Sequence, residues 1–374
     1  MVGEKATNRA LQHEWKGALG LTDSVEVLDR RRVVVIGIGG VGNNTVTQLT
    51  KMGIKNAYTI AINTDSLHLN ASQADEKILI GEKLTQGLGT RGNTALGKSA
   101  IKETQKQLEK LLAGVEVVFV VAGLGGGTGT GAAPVVAEIA SEKGALTIGM
   151  VVKPIQTKRK KLMLGSAFKK LRRECNTVVV IDCANLMEIE PQLPIDKIFK
   201  IADQVLANMI KGMIEAISAP SLINLNFIDF KTVVKHGGIA AVGIGESNAP
   251  NRAEEAAHNA LRSPLLNTEC ARATGALIHV TGDNQMTIEE ANRVGEIVTE
   301  MMNNNAQVIW GANADPELNG KIKVTLVMTG INPPSSSSDL SSIAPQLFNL
   351  EPPSESEKKL QVNLGLYQLE SFEH

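Results

Sequence analysis

Two stretches of this sequence hold residue types suited to gripping phosphate. The first, Gly37-Ile38-Gly39-Gly40-Val41-Gly42-Asn43-Asn44, closes the β-branched run VVVIGIG (33–39). Glycines let backbone N–H groups approach an anion closely, and a helix starting there adds the positive end of its dipole. Alone, this loop also satisfies the GxGxxG dinucleotide fingerprint. Asp65, roughly twenty residues further on, stands where a ribose-binding acid belongs. A nicotinamide-dependent oxidoreductase therefore competes at this point. The second stretch is Gly123-Leu124-Gly125-Gly126-Gly127-Thr128-Gly129-Thr130-Gly131, between VEVVFVVAG (115–123) and AAPVVAEIA. So many glycines in a row are expected to have little packing value and a high entropy cost. A nest of amides around a di- or triphosphate, with Thr128 and Thr130 as hydroxyl donors, accounts for them. An oxidoreductase has no use for a second such loop, and GxxxxGK[ST] is absent, which excludes a P-loop enzyme.

Those loops need strands to aim them. Short, apolar, non-alternating runs recur at 33–39, 57–63, 115–123, 145–152 and 176–182. That is the signature of strands buried on both faces of a parallel sheet. The helical stretch 94–114 lies between two of them, so the expected fold is α/β: a Rossmann-like, doubly wound parallel sheet with ligands at the strand C-termini. The segment 195–218 keeps apolar residues in a 3-4-3 rhythm from Ile195 to Ile217. At 1.5 Å per residue this long central helix spans roughly 36 Å. A second, smaller α/β domain follows to about 331, and the Pro/Ser-rich remainder reads as a disordered linker with a terminal peptide, LQVNLGLYQLESFEH. The expected division is an extension at 1–30, a nucleotide-binding domain at 31–194, the central helix at 195–218, a C-terminal domain at 219–332 and the tail at 333–374.

Composition narrows the field. The chain has 374 residues, 43% of them apolar, with 35 glycines. Thirty-eight basic against thirty-nine acidic residues provide no bulk charge for non-specific nucleic-acid binding. Cys175, Cys183 and Cys270 show no metal-ligand spacing and read as small buried residues of a reducing compartment. There is no signal-type apolar core near Met1 and no apolar run of roughly 18 residues, so a cytoplasmic location is expected.

GGGTGTG on a strand–loop–helix frame resembles the signature of the tubulin/FtsZ GTPase superfamily, and AAPVVAE directly after it is similar to FtsZ rather than to tubulin. NTD (63–65), GLGTRGN (87–93), NLNFIDF (224–230), GIGES (243–247) and VTLVMTGI extend the resemblance over about 30–332. The overall style is similar to archaeal members, nearer to their second paralogue.

The resemblance implies GTP or GDP as ligand, with Mg2+ held through the phosphates rather than by side chains. The first loop (Gly39, Gly40, Val41, Gly42, Asn43) would cup the phosphates, with Asp65 beside it, and Asn44 would read guanine. The second loop contributes Gly123, Gly125, Gly126, Gly127, Thr128, Gly129 and Thr130. Gly89, Thr90, Arg91, Gly92 and Asn93 resemble the loop that closes on the γ-phosphate. Phe199 and Asp203, four apart and on one helix face, match the family's guanine-binding pair. A carboxylate accepts from guanine N1–H and N2–H, which adenine lacks, and such a site rejects the wrong base by about 10⁴–10⁵. Pro154 and Lys158 fall on the ribose side, where the sequence departs from the family: Val152, Lys158 and Leu162 replace a threonine, a glutamate and an arginine.

Hydrolysis in this family uses acids supplied in trans to the neighbouring subunit's nucleotide. Asp229 matches one of them. Asn226 stands where an aspartate is usual, and an amide orients water but takes no proton, whereas general acid–base catalysis contributes typically about 10²–10⁴-fold. The implied function is a cell-division GTPase that assembles head to tail into filaments at the mid-cell ring. The implied partners are copies of itself, a membrane-anchoring adaptor and another FtsZ paralogue, with no nucleic acid. A weakly hydrolysing GTP-binding scaffold is the alternative that Asn226 motivates.

Overall fold

The computed structural model describes residues 32–154, 158–183, 187, 194–218, 227–235, 238–263 and 273–331. The expected N-terminal extension, the C-terminal linker and peptide, Pro220 and Asn226 lie outside them. The chain divides into two compact units, 1–148 and 149–374.

In the first unit β1 (Val33–Ile38), β2 (Tyr58–Asn63), β3 (Glu76–Leu79) and β4 (Val117–Gly123) run in the order β3-β2-β1-β4. All three pairings are parallel, with Ile36 opposite Ile60 on one side and opposite Val120 on the other. Every residue of β1 is buried, as continuous β-branched runs require when helices cover both faces. From β1 the chain winds outward to β2 and β3, then returns to the other side of β1 as β4. The strand order thus reverses between β1 and β4, the place where a doubly wound sheet leaves a ligand crevice. Helix α1 (Gly39–Lys51) follows β1, α2 (Ser66–Ala71) follows β2, α3 (Glu82–Thr85) follows β3, and α6 (Gly127–Glu142) follows β4. The helical stretch 94–114 is two helices rather than one, α4 (Thr94–Glu103) and α5 (Gln105–Leu111). Thr104 breaks it, its hydroxyl turning back to the Ile101 carbonyl at 3.2 Å in the way hydroxyl side chains compete with helical bonding.

Strand β5 (Leu146–Lys153) carries the chain into the second unit. There α7 (Lys158–Glu174), β6 (Thr177–Asp182), α8 (Ile195–Ser218), α9 (Phe227–Lys235), β7 (Ile239–Ser247), α10 (Arg252–Leu261), β8 (Gly275–Gly282), α11 (Ile288–Glu300), β9 (Gln307–Ala314) and β10 (Ile322–Ile331) follow in turn. The strand order is β6-β7-β10-β8-β9. Here β10 is antiparallel to both neighbours, while β6 with β7 and β8 with β9 remain parallel. The fold is α/β as expected, with antiparallel strand pairing on both sides of β10. The central helix has the bounds its rhythm predicts, and Gly212 on it lets Thr325 of β10 approach to 3.0 Å of where a Cβ would stand.

A half-buried charge cluster ties elements of the second unit together. The Arg252 guanidinium forks onto Glu290 at 2.7 and 3.0 Å and reaches Asp283 at 3.1 Å and the Gly320 carbonyl at 3.0 Å. Glu290 also closes a capping box with Thr287 at the start of α11. The guanidinium bond holds its carboxyl below the usual range. Replacing Arg252 by Met leaves two largely buried carboxylates without their cation. A loss of about 3–5 kcal/mol in chemical denaturation is expected.

His279 on β8 is 3% exposed, and its Nε2 meets no hydrogen-bond partner among the described residues. Burial, with a smaller effect from Lys323 on β10, pushes its pKa down to about 4. The folded chain therefore keeps it neutral while the unfolded chain protonates near pH 6.5. Stability is intact above that value and falls as pH drops toward 4, by about 3 kcal/mol in all. Denaturant titrations between pH 7 and pH 4 should show this loss in the wild type and a flatter profile in His279→Gln.

Candidate functional site

Both glycine loops emerge at the crevice between β1 and β4, and both feed helices that start without a side-chain cap. The N-cap positions of α1 and α6 are Ile38 and Gly126, and neither helix has an acid in its first turn. Elsewhere in the first unit the side chains of Asp65 and Asn93 cap α2 and α4, accepting from His68 N and Leu96 N. The first N–H groups of a helix want an acceptor. Open N–H groups on two neighbouring helices are donors of the kind that suit an anion such as phosphate.

The glycines divide into two kinds. Gly126 has nothing within 4 Å of where its Cβ would stand, and Gly40 has only His68 Nε2, at 3.9 Å. Gly39 and Gly125 take left-handed backbone, φ 70° and 95°. Gly40 and Gly126 thus present exposed backbone, while Gly39 is buried against Gly129 and Thr128. By contrast a Cβ on Gly42 would fall 2.4 Å from the Val121 carbonyl, on Gly129 2.5 Å from that of Gly123, and on Gly127 2.2 Å from Thr90 Oγ1. The expectation that the second run has little packing value is thus corrected: Gly123, Gly127, Gly129 and Gly131, four of its six glycines, leave no room for a Cβ against the neighbouring elements.

The polar side chains of the loops are largely engaged with one another. Thr128 Oγ1 lies 2.7 Å from Thr64 Oγ1 and 3.4 Å from Thr90 Oγ1, all three side chains buried. Thr130 accepts from Gly125 N at 2.8 Å. Both hydroxyls therefore shape the loop from behind. Asn43 is fully buried. With its amide in the orientation its surroundings demand, Nδ2 faces the carbonyls of Gly37, Ile62 and Gly39 at 3.0–3.2 Å, and Oδ1 accepts from Asn63 Nδ2 at 3.1 Å. Asn44, next along α1, is exposed.

Residues 86–92 form a loop rich in left-handed backbone: Gln86, Gly87, Gly89, Arg91 and Gly92 all have positive φ. Gly89 N donates to the Thr64 carbonyl at 3.1 Å and Ser66 N to that of Gly87 at 2.9 Å, so the loop is tied to the end of β2. Arg91 is exposed, as are Leu67 (81%) and Leu88 (63%) around it.

In the second unit Asp203 on α8 is 8% exposed, with Phe199 one turn earlier half-buried. Burial, with the charges of Asp182 and Asp203 nearby, pushes the Cys183 thiol up to about 12, so it is not a nucleophile at neutral pH. On the expected ribose side Val152 is buried and Pro154 half-buried, while Lys153 pairs with Asp182 at 2.5 Å. Lys158 begins α7, its side chain outside the described atoms. Asp229 lies in the first turn of α9, half-buried, beside Ile228 at 71% exposure. Reading the sequence alone missed Asn63, Thr64 and His68. The NTD motif points to the first two, but nothing signals the third.

A family model described as Tubulin/FtsZ family, GTPase domain, matches residues 32–191, and one described as FtsZ family, C-terminal domain, matches 238–332. The chain is 44% identical to "Cell division protein FtsZ 2" of Methanocaldococcus jannaschii over 328 residues, covering 86% of each. It is 46% identical to "Cell division protein FtsZ 1" of the same organism, over 81% of this chain and 84% of that one. Identity therefore does not separate the two paralogues. Among solved structures, "FtsZ dimer, empty (M. jannaschii)" superposes with a TM-score of 0.77 at 44% identity, covering 83% of this chain and 92% of that one. These likenesses favour a GTPase over the weakly hydrolysing scaffold. With both family models on one chain and relatives this similar over most of its length, the chain belongs to the tubulin/FtsZ family, and its first part is that family's GTPase domain.

Proposed function

We propose that the chain is a GTP-dependent polymerising protein of cell division, which binds GTP, assembles head to tail and hydrolyses the nucleotide where two copies meet. The observation that carries this reading is the pair of uncapped helix N-termini, α1 and α6, at the strand-order reversal between β1 and β4. Gly40 and Gly126 offer exposed backbone to a triphosphate there, Gly39 and Gly125 shape the two turns, and the 86–92 loop places Thr90, Arg91 and Gly92 beside them. Mg2+ carried on the phosphate oxygens would neutralise their charge. In this reading residues 31–194 form the nucleotide-binding domain, 195–218 the central helix and 219–332 the domain that carries the catalytic loop. Asn44, Phe199 and Asp203 recognise guanine. The near-complete burial of Asp203 supports this role, since a carboxylate shielded from water discriminates sharply between a base that donates and one that does not.

Asp229, with Asn226 before it, would act on the neighbouring copy's nucleotide by orienting the attacking water. Exposed leucines around the first unit's loops, and Ile228 next to Asp229, are apolar groups that such a contact would cover. A head-to-tail contact is heterologous and does not close, so it yields a filament. A cytoplasmic location at the mid-cell ring, anchored by an adaptor through LGLYQLESFEH and shared with another FtsZ paralogue, completes the proposal. No helix among the described residues is long and apolar enough to cross a membrane.

Turnover per subunit should rise sharply above a threshold protein concentration at which light scattering also rises. Asp229→Ala should keep GTP binding and cut turnover by about 10²-fold or more. Activity independent of concentration would sink the shared-site reading. Asp203→Asn should weaken GTP binding by about 10²-fold or more. It should also favour xanthosine triphosphate, whose C2 carbonyl accepts from the new amide. An unchanged base preference would remove Asp203 from guanine recognition.

A further inference from the structure

We infer that His68 is a nucleotide-phosphate contact of this site, its Nε2–H group standing as a side-chain donor at the open end of α1. The inference rests on the reading of that end as the phosphate site. Its argument begins at Asn63, the last residue of β2. Asn63 Oδ1 accepts from Thr64 N at 2.9 Å and from Asp65 N at 3.3 Å, which fixes which end of the amide is oxygen. Nδ2 then has two hydrogens to place. One goes to Asn43 Oδ1 at 3.1 Å, on the phosphate loop, and the other points to His68 Nδ1 at 3.5 Å. An amide N–H can only donate, so Nδ1 is the acceptor, and a neutral imidazole must then carry its proton on Nε2.

The backbone sets the ring's direction. Asp65 caps α2 by accepting from His68 N at 3.0 Å, and the His68 carbonyl accepts from Ser72 Oγ at 2.8 Å. The ring consequently sits on the first turn of α2 with Nε2 3.9 Å from the Cβ position of Gly40. Gly40 is exposed and is the second residue of a helix whose N-cap offers no side-chain acceptor. An anion seated on those N–H groups would meet the imidazole at this rim. Asn63 thus serves two purposes: it locks the phosphate loop through Asn43 and sets the tautomer of the residue facing that loop.

The test is nucleotide affinity of His68→Phe, which keeps the ring's bulk and the backbone bonds but removes the donor. His68→Gln restores an N–H at similar reach. Measured by calorimetry, His68→Phe should weaken GTP about tenfold, the worth of one hydrogen bond to a charged acceptor. His68→Gln should recover most of that, and the affinity for guanosine should not change. Loss for GTP and GDP alike, or for GTP alone, supports the contact and says which phosphate it touches. Equal affinity in all three proteins, or a loss that extends to guanosine, overturns it. In the wild type, ¹⁵N spectra should show Nε2 protonated and shifted by GTP; a proton on Nδ1 would also overturn it. If the wild type fails to bind GTP, the proposed function fails; if it binds and His68→Phe binds equally, only this inference does.

Discussion

Two neighbouring helices that begin with bare N–H groups are a local cost, and much of the first unit is arranged to bear it. A helix N-terminus without a cap leaves strong donors unanswered, so the residues around it must be held by other means. Here the holding is done from behind. Asn43 is buried among the carbonyls of Gly37, Gly39 and Ile62, Thr128 is bound to Thr64, and Thr130 takes the N–H of Gly125. None of these side chains needs a ligand to be satisfied. What faces outward beside them is backbone, at Gly40 and Gly126. Close contact of α1 and α6 with the strands they follow is possible because Gly42 and Gly129 lack side chains.

The second unit solves a different problem. Its sheet places the antiparallel strand β10 between two strands that point the other way. Its alanine-rich helix α10 packs close to that sheet, with Ala253, Ala256, Ala257 and Ala260 all in the core. Small side chains allow this approach but contribute little apolar area each. The Arg252 cluster pins the start of α10 to α11 and to the turn before β10, adding direction where the apolar contacts alone would leave the helix free to slide.

Much of the architecture could be read directly from residues. Strands β1, β2, β4, β5 and β6 are β-branched runs whose period admits little else, and α8 starts and ends where its apolar rhythm does. The two glycine loops marked the crevice. What the residues did not reveal is which glycines face a ligand and which face a neighbouring carbonyl. That depends on distances across the sheet, between residues as far apart as Gly42 and Val121. Asp65 and Asn93 looked like ligand-facing polar residues because capping and binding call for the same short side chains. His68 stayed hidden because its role is set by Asn63, five residues earlier and on another element, with no periodic pattern joining them. The break at Thr104 was masked by good helix formers on both sides.

The left-handed loop at 86–92 bears on affinity as well as shape. Several of its residues occupy backbone states that are rarely visited in an unfolded or loosely tethered segment, and the loop is tied to the end of β2 through Gly89 and Gly87. Ordering a loop on binding subtracts from the free energy of association, and a loop ordered in advance spares that subtraction. The hydrogen bonds to Thr64 and Ser66 limit how much of that ordering is left to a ligand, so changes that loosen residues 86–92 would weaken binding without removing a group that touches it.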